Sequence, residues 1–67
     1  MMKGTVKWFD GAKGYGFITA ETGGDLFVHY TGINKDGFRG LEQDQQVEFD
    51  MEDGKKGPQA VNVNVIG

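Results

Sequence analysis

Apolar residues recur at every second position along most of this 67-residue chain. That spacing puts alternate side chains on opposite faces of an extended strand, and no sustained helical repeat competes with it. Five strands are predicted. The first covers residues 3–10 and stops at Asp10-Gly11. The second is Tyr15–Ala20, and Thr22-Gly23-Gly24 turns it into the third, residues 25–30. Residues 31–44 lack alternation and contain Gly32, Gly37 and Gly40, which reads as a long loop with room for one short helical turn. Residues 45–52 alternate cleanly, with Val47, Phe49 and Met51 on one face and Gln46, Glu48, Asp50 and Glu52 on the other. Asp53-Gly54 begins a turn, and Gly57-Pro58 leads into a last strand where Val61, Val63 and Val65 alternate with Asn62 and Asn64.

Closely spaced strands with glycine between them indicate antiparallel hairpins. No long helix is available to cover a flat sheet. A closed or nearly closed small barrel is the architecture that buries one face of every strand, and residues 1–67 form one domain of it.

Two strands break the rule that aliphatics point in and polar groups point out. In the second, Ile18 shares a face with Gly14 and Gly16, while Tyr15, Phe17 and Thr19 share the other. In the third, Leu26 and Val28 share one face, and Asp25, Phe27 and His29 the other. A face holding an acid and an imidazole is solvated, yet it also carries rings. A hairpin of these two strands gathers Tyr15, Phe17, Phe27 and His29 on one outer surface. A second hydrophobic core is the plainer reading. So short a chain has little left to cover it, and a contiguous exposed aromatic patch marks a binding site.

Composition refines this picture. The net charge of −3 is unusual for a nucleic-acid binder. The distribution is more telling. Three lysines balance three acids up to Tyr30, whereas residues 42–53 hold six acids and no base. Seven of the eight aromatic residues lie at or before Phe38, so the rings sit apart from the acids. The acidic run reads as a solvated strand face and turn. The absence of cysteine removes disulfides and thiolate metal sites, and fits a reducing compartment. No apolar run is long enough to span a membrane, and the first residues lack a signal core, so a cytoplasmic protein is expected.

Rings interleaved with lysines suit a single-stranded nucleic acid, because every base offers a π face and every linkage a phosphate. Lys7 and Lys13 are placed for phosphates, and Trp8 is a further platform. Strict alternation puts Lys7 and Trp8 on opposite faces, so both reach ligand only where the strand twists, bulges or lies at an edge. A small barrel that takes proline-rich or basic peptides is the alternative, and the interleaved lysines favour nucleic acid over it.

KWFDGAKGYGFI followed by DLFVHY resembles the two nucleic-acid-binding motifs of bacterial cold-shock proteins, and the resemblance extends from KGTVKWF through GPQAVNV. It implies an all-β, five-stranded antiparallel Greek-key barrel of the oligonucleotide-binding type. It implies a monomeric protein without cofactor or metal that binds single-stranded RNA and DNA, leaning towards pyrimidines. It also implies an RNA chaperone with effects on transcription and translation. By the same resemblance the stacking platforms are Trp8, Phe17, Phe27, His29, Tyr30 and Phe38, with Tyr15 beside them. Lys7 and Lys13 are the nearest cations, Asp25 accepts a hydrogen bond from a base, and Lys56 is a basic loop residue. Asp10 stands where the family usually has asparagine. An ionised carboxylate only accepts and repels phosphate, so a base contact there is open.

K-G-Y-G-F also overlaps an RNA-recognition-motif signature, but Ala20 misses its last aromatic and that fold's helices are absent. On pattern alone Tyr30 is a core-edge ring or a ligand contact, Phe38 a loop anchor or a platform, and Phe9 core or platform. His29 has no second histidine or cysteine to make a metal site. An enzyme is not expected: there is no serine or cysteine nucleophile and no P-loop, and Gly14-Tyr15-Gly16 lacks the third glycine of a dinucleotide fingerprint.

Overall fold

The computed structural model describes residues 1–34, 40–55 and 57–66. Five strands form: β1 (Met2–Asp10), β2 (Tyr15–Ala20), β3 (Asp25–His29), β4 (Gln46–Gly54) and β5 (Gly57–Val65). A 3-10 turn, Tyr30–Gly32, follows β3. The strands close into a barrel in the order β1-β2-β3-β5-β4. An odd number of strands cannot alternate in direction all the way round, so one neighbouring pair must run parallel. That pair is β3–β5, joined through Phe27↔Gln59 and Val28↔Ala60, and the other four pairings are antiparallel. Closure gives every strand a neighbour on both sides over part of its length.

The interior is apolar. Val6, Ile18, Val28, Val47, Phe49 and Val63 are wholly excluded from solvent, and Leu26, Ala20 and Ala60 pack with them. Each full burial of such a side chain is worth about 1.5–3 kcal/mol. Ile33 and Leu41, from the segment between β3 and β4, plug the core from outside the strands. Ile33 forms a parallel bridge with Val63, and the Asn34 N–H donates to the Val63 carbonyl at 2.8 Å.

Bulges account for most departures from simple alternation. In β1, Val6 faces Ile18 and Trp8 faces Phe17, so Lys7 is an extra residue with no partner in the ladder. Gly4 and Val6 point inward before it; beyond it the parity reverses, and Phe9 packs against the core opposite Gly16. Phe9 is therefore core. A second irregularity, where Glu48 faces Asn64 but Asp50 faces Val61, coincides with Asn62 at φ 53°. It puts Ala60 and Val63 inside, three residues apart, and overturns the expected alternation of Val61, Val63 and Val65: Val61 is half-buried and Val65 exposed. Met51 also departs from expectation. It is 52% exposed, because β1 pairs with β4 only as far as Phe49 and the hairpin beyond leaves the barrel wall.

Gly16 is fixed by the β1 bulge. A Cβ there would overlap the Trp8 carbonyl oxygen and lie 2.7 Å from the Phe9 Cα, both backbone atoms that cannot swing aside. Gly16→Ala is therefore expected to destabilise the barrel by about 1–3 kcal/mol, the usual scale for overpacking. Urea unfolding of the variant measures this; unchanged stability would show that the bulge does not need the glycine.

Candidate nucleic-acid interface

The outward faces of β1, β2 and β3 carry the rings. Cross-strand register sets Phe17 opposite Phe27 and Tyr15 opposite His29, with Thr19 opposite Asp25. The β1 bulge adds Trp8 beside Phe17. Trp8 lies 5.4 Å from Phe17 and 6.0 Å from Tyr15, centroid to centroid. Phe27 lies 5.9 Å from both Tyr15 and Phe17. These four rings touch edgewise or at a tilt, which gives mutual attraction while leaving much of their surface open. Tyr15, Phe17, Phe27 and His29 are half-buried, and Trp8 is 40% exposed.

Lys7 and Trp8 are both exposed, and the bulge is the reason: two consecutive residues face outward where a regular strand would divide them. The Lys7 ammonium meets the Asp25 carboxylate at 2.7 Å, two strands away, and the Thr19 hydroxyl donates to the other carboxylate oxygen at 3.0 Å. This polar group of three closes one end of the aromatic stripe. The Lys7 hydrogen bond, then the Thr19 hydrogen bond, lower the Asp25 carboxyl below its ordinary value of 3.8.

The other end is built around the β3 exit. His29 caps the 3-10 turn, its Nδ1 lying 2.9 Å from the Thr31 hydroxyl. The chain leaves strand geometry at Tyr30, whose ring centroid sits 4.5 Å from that of His29. Tyr30 is 44% exposed and its ring lies over Gly14, where a Cβ would come within 2.7 Å of the Tyr30 Cδ1. Gly14 also needs its φ of 80°, and its carbonyl accepts from the Tyr30 N–H at 2.8 Å. Gly14 is thus the seat of a surface ring, whereas Gly16 lies at the β1 approach.

Lys13 is exposed in the β1–β2 turn. Asp10 shapes that turn: its Oδ1 accepts from the backbone N–H groups of Ala12 at 3.0 Å and Lys13 at 3.1 Å. This local role fits a carboxylate as well as an asparagine amide. Of the residues expected at the site, Lys7, Trp8, Tyr15, Phe17, Asp25, Phe27, His29 and Tyr30 form one surface. Phe38 and Lys56 lie outside the described residues. The structure adds a groove that the strand pattern did not reveal, where Gly54, Lys55 and Gln59 of the β4–β5 hairpin meet Tyr15, Phe27 and His29. The groove depends on the pairing of the non-consecutive strands β3 and β5, which alternation along the sequence does not signal.

Residues 2–66 match the family model described as the 'Cold-shock' DNA-binding domain. A cold shock-like protein of Thermotoga maritima is 57% identical over 65 residues, covering 97% of this chain and 98% of that protein. Cold shock protein 1 of Lactiplantibacillus plantarum is 59% identical over 63 residues, covering 94% and 96%. Among solved structures, Drosophila Unr CSD456 superposes with a TM-score of 0.79 at 24% identity, over 98% of this chain and 26% of that one, which shows a shared fold. The chain belongs to the cold-shock domain family, a class of small nucleic-acid-binding barrels.

Asp25 gives a test of the polar end of the stripe. Its lowered carboxyl favours the folded state above the ordinary carboxylate value, and that contribution is lost as pH falls through the folded value. The stability gap between the wild-type protein and Asp25→Asn is therefore expected to be present near neutral pH and to close on acidification below 3.8. Urea unfolding across that range measures it; a gap that persists unchanged at the acid end would contradict the pairing.

Proposed function

We propose that this chain binds single-stranded RNA and DNA by stacking successive bases on the outer aromatic face of β1, β2 and β3. The observation that carries this reading is the contiguous, partly exposed set of Trp8, Tyr15, Phe17 and Phe27, all on the solvent side of a barrel whose interior is already full. Single strands suit such a surface because their bases are free to splay onto rings, while a duplex keeps its faces stacked inside. His29 and Tyr30 extend the platform, and the resemblance to cold-shock proteins adds Phe38 and Lys56. Lys7 and Lys13 meet phosphates. The Lys7 ammonium has three donors, so it can hold a phosphate and Asp25 together, and Asp25 keeps lone pairs for a base.

The cellular role is that of an RNA chaperone: a cytoplasmic monomer, without cofactor, that keeps transcripts unstructured in the cold-shock response and thereby affects transcription and translation. Loose, pyrimidine-leaning preference is consistent with stacking, which is sequence-tolerant. The net charge of −3 points to stacking as the larger share of affinity, with few phosphates neutralised.

Phe27 sits at the centre of the stripe. Phe27→Ala is expected to cost about 1–3 kcal/mol of affinity for a short oligo-pyrimidine strand. Calorimetric titration of the folded variant checks this, and wild-type affinity in that variant would contradict stacking at this position.

A further inference from the structure

β2 lies between β1, which carries Lys7, and β3, which carries Asp25. The Lys7–Asp25 ion pair therefore spans β2. Thr19 stands on the spanned strand, directly opposite Asp25, and the next pair on the same outer face is Phe17 and Phe27. Lys7 and Thr19 engage different oxygens of the carboxylate. Lys7 Nζ lies 2.7 Å from Asp25 Oδ2, and Thr19 Oγ1 donates to Asp25 Oδ1 at 3.0 Å.

The ion pair alone would hold Asp25 loosely. Its two side chains are 54% and 40% exposed, and an exposed pair contributes little once water and salt screen it. Asp25 is also the first residue of β3, directly after Gly23 and Gly24, both at positive φ. The Lys7 ammonium rides on a flexible four-carbon stem and can follow the carboxylate as it turns. Threonine is different: branching at Cβ makes it stiff about χ1, so its hydroxyl is a fixed partner on the strand. A carboxylate bonded through both oxygens, to groups on two strands, cannot rotate about Cβ–Cγ without breaking a bond. Each oxygen has about two lone-pair sites, so each keeps one to offer.

We propose that Thr19 is a positioning residue for base recognition: its hydroxyl holds the Asp25 carboxylate in the plane where a remaining lone pair accepts from an N–H of a base stacked on the neighbouring rings. The inference rests on the single-strand reading above, in which Asp25 keeps lone pairs for a base. Thr19 acts through Asp25 and needs no contact with the ligand. The lowered Asp25 carboxyl agrees with this geometry, since the Lys7 hydrogen bond and then the Thr19 hydrogen bond bring it down. An ionised, oriented acceptor beside Phe17 and Phe27 favours bases whose edge carries an N–H. A thymine or uracil offers its ring N3–H, and a cytosine its N4 amino group.

The first test needs no ligand. The Asp25 carboxyl is titrated by carbon NMR in the wild-type protein and in Thr19→Val, which keeps the shape of the side chain and removes its hydroxyl. The variant's midpoint is expected to rise towards 3.8, and Thr19→Ser to restore the wild-type midpoint. The second test is a Trp8 fluorescence titration. Thr19→Val is expected to lose about three- to tenfold in affinity for a thymidine heptamer, the scale of one hydrogen bond, and Thr19→Ser to regain it. On a heptamer of N3-methylthymidine, which has no base N–H to give, wild-type and Thr19→Val affinities should agree within twofold. Thr19→Ala carries both tests where valine disturbs the fold. An unmoved midpoint, equal losses on both heptamers, or no loss on the thymidine strand overturns the role of Thr19 while leaving the stacking face intact. A wild-type protein that binds neither heptamer overturns the single-strand reading and this one with it.

Discussion

The barrel has no room inside for the rings of β2 and β3. Five strands closed on themselves enclose a space that Phe49, four valines and Ile18 already fill to complete exclusion of solvent. Inward positions at Gly4 and Gly16 cannot accept even a methyl group without striking backbone. Interiors are packed at crystal-like density, so a side chain of the wrong parity has nowhere to go but out. The strands β2 and β3 obey period two, and their outward positions are Tyr15, Phe17, Phe27 and His29. The surface aromatic stripe is thus fixed by the same closure that forms the core.

The β1 bulge converts that stripe into a more complete site. Without Lys7 as an extra residue, Trp8 would face the core and Phe9 the solvent. With it, Trp8 joins Phe17 outside, Phe9 joins the core, and Lys7 reaches across to Asp25. Gly16 permits the bulge by offering no Cβ to the Trp8 carbonyl. The electrostatics follow the same division. β4, which carries Glu48, Asp50, Glu52 and Asp53, neighbours β1 and β5 in the barrel, while the ring-bearing β2 and β3 pair with each other. A net acidic chain can therefore still offer phosphates a lysine-flanked surface.

Alternation carried much of this in advance, because β2 and β3 are regular and their faces can be counted off residue by residue. The five strands and their closure were readable for the same reason. The misreadings cluster where regularity ends. Met51 looked like core because its parity matched Phe49, yet it lies beyond the reach of β1. Val61 and Val65 looked like partners of Val63, but Asn62 turns through a left-handed φ and shifts the count. The conflict between Lys7 and Trp8 was visible as a conflict, and a bulge was among its possible solutions; its place had to come from the ladder. The groove around Gln59 was out of sight because β3 and β5 are neighbours in space with a whole strand between them in sequence. The roles of Asp10 and Gly14 were hidden for a related reason, since both act on backbone or on a ring brought in from the 3-10 turn after β3 rather than on their own strand face.

Trp8 is the only tryptophan in the chain, and it stands at one edge of the stripe, so its fluorescence reports directly on what lands there. A titration with a short pyrimidine single strand and with its duplex, in the same buffer and salt, separates base stacking from simple attraction to phosphate. Stacking predicts quenching by the single strand at micromolar or lower concentration, with the duplex bound much more weakly. No quenching by the single strand, or equal affinity for the duplex, would contradict a surface built to receive unpaired bases.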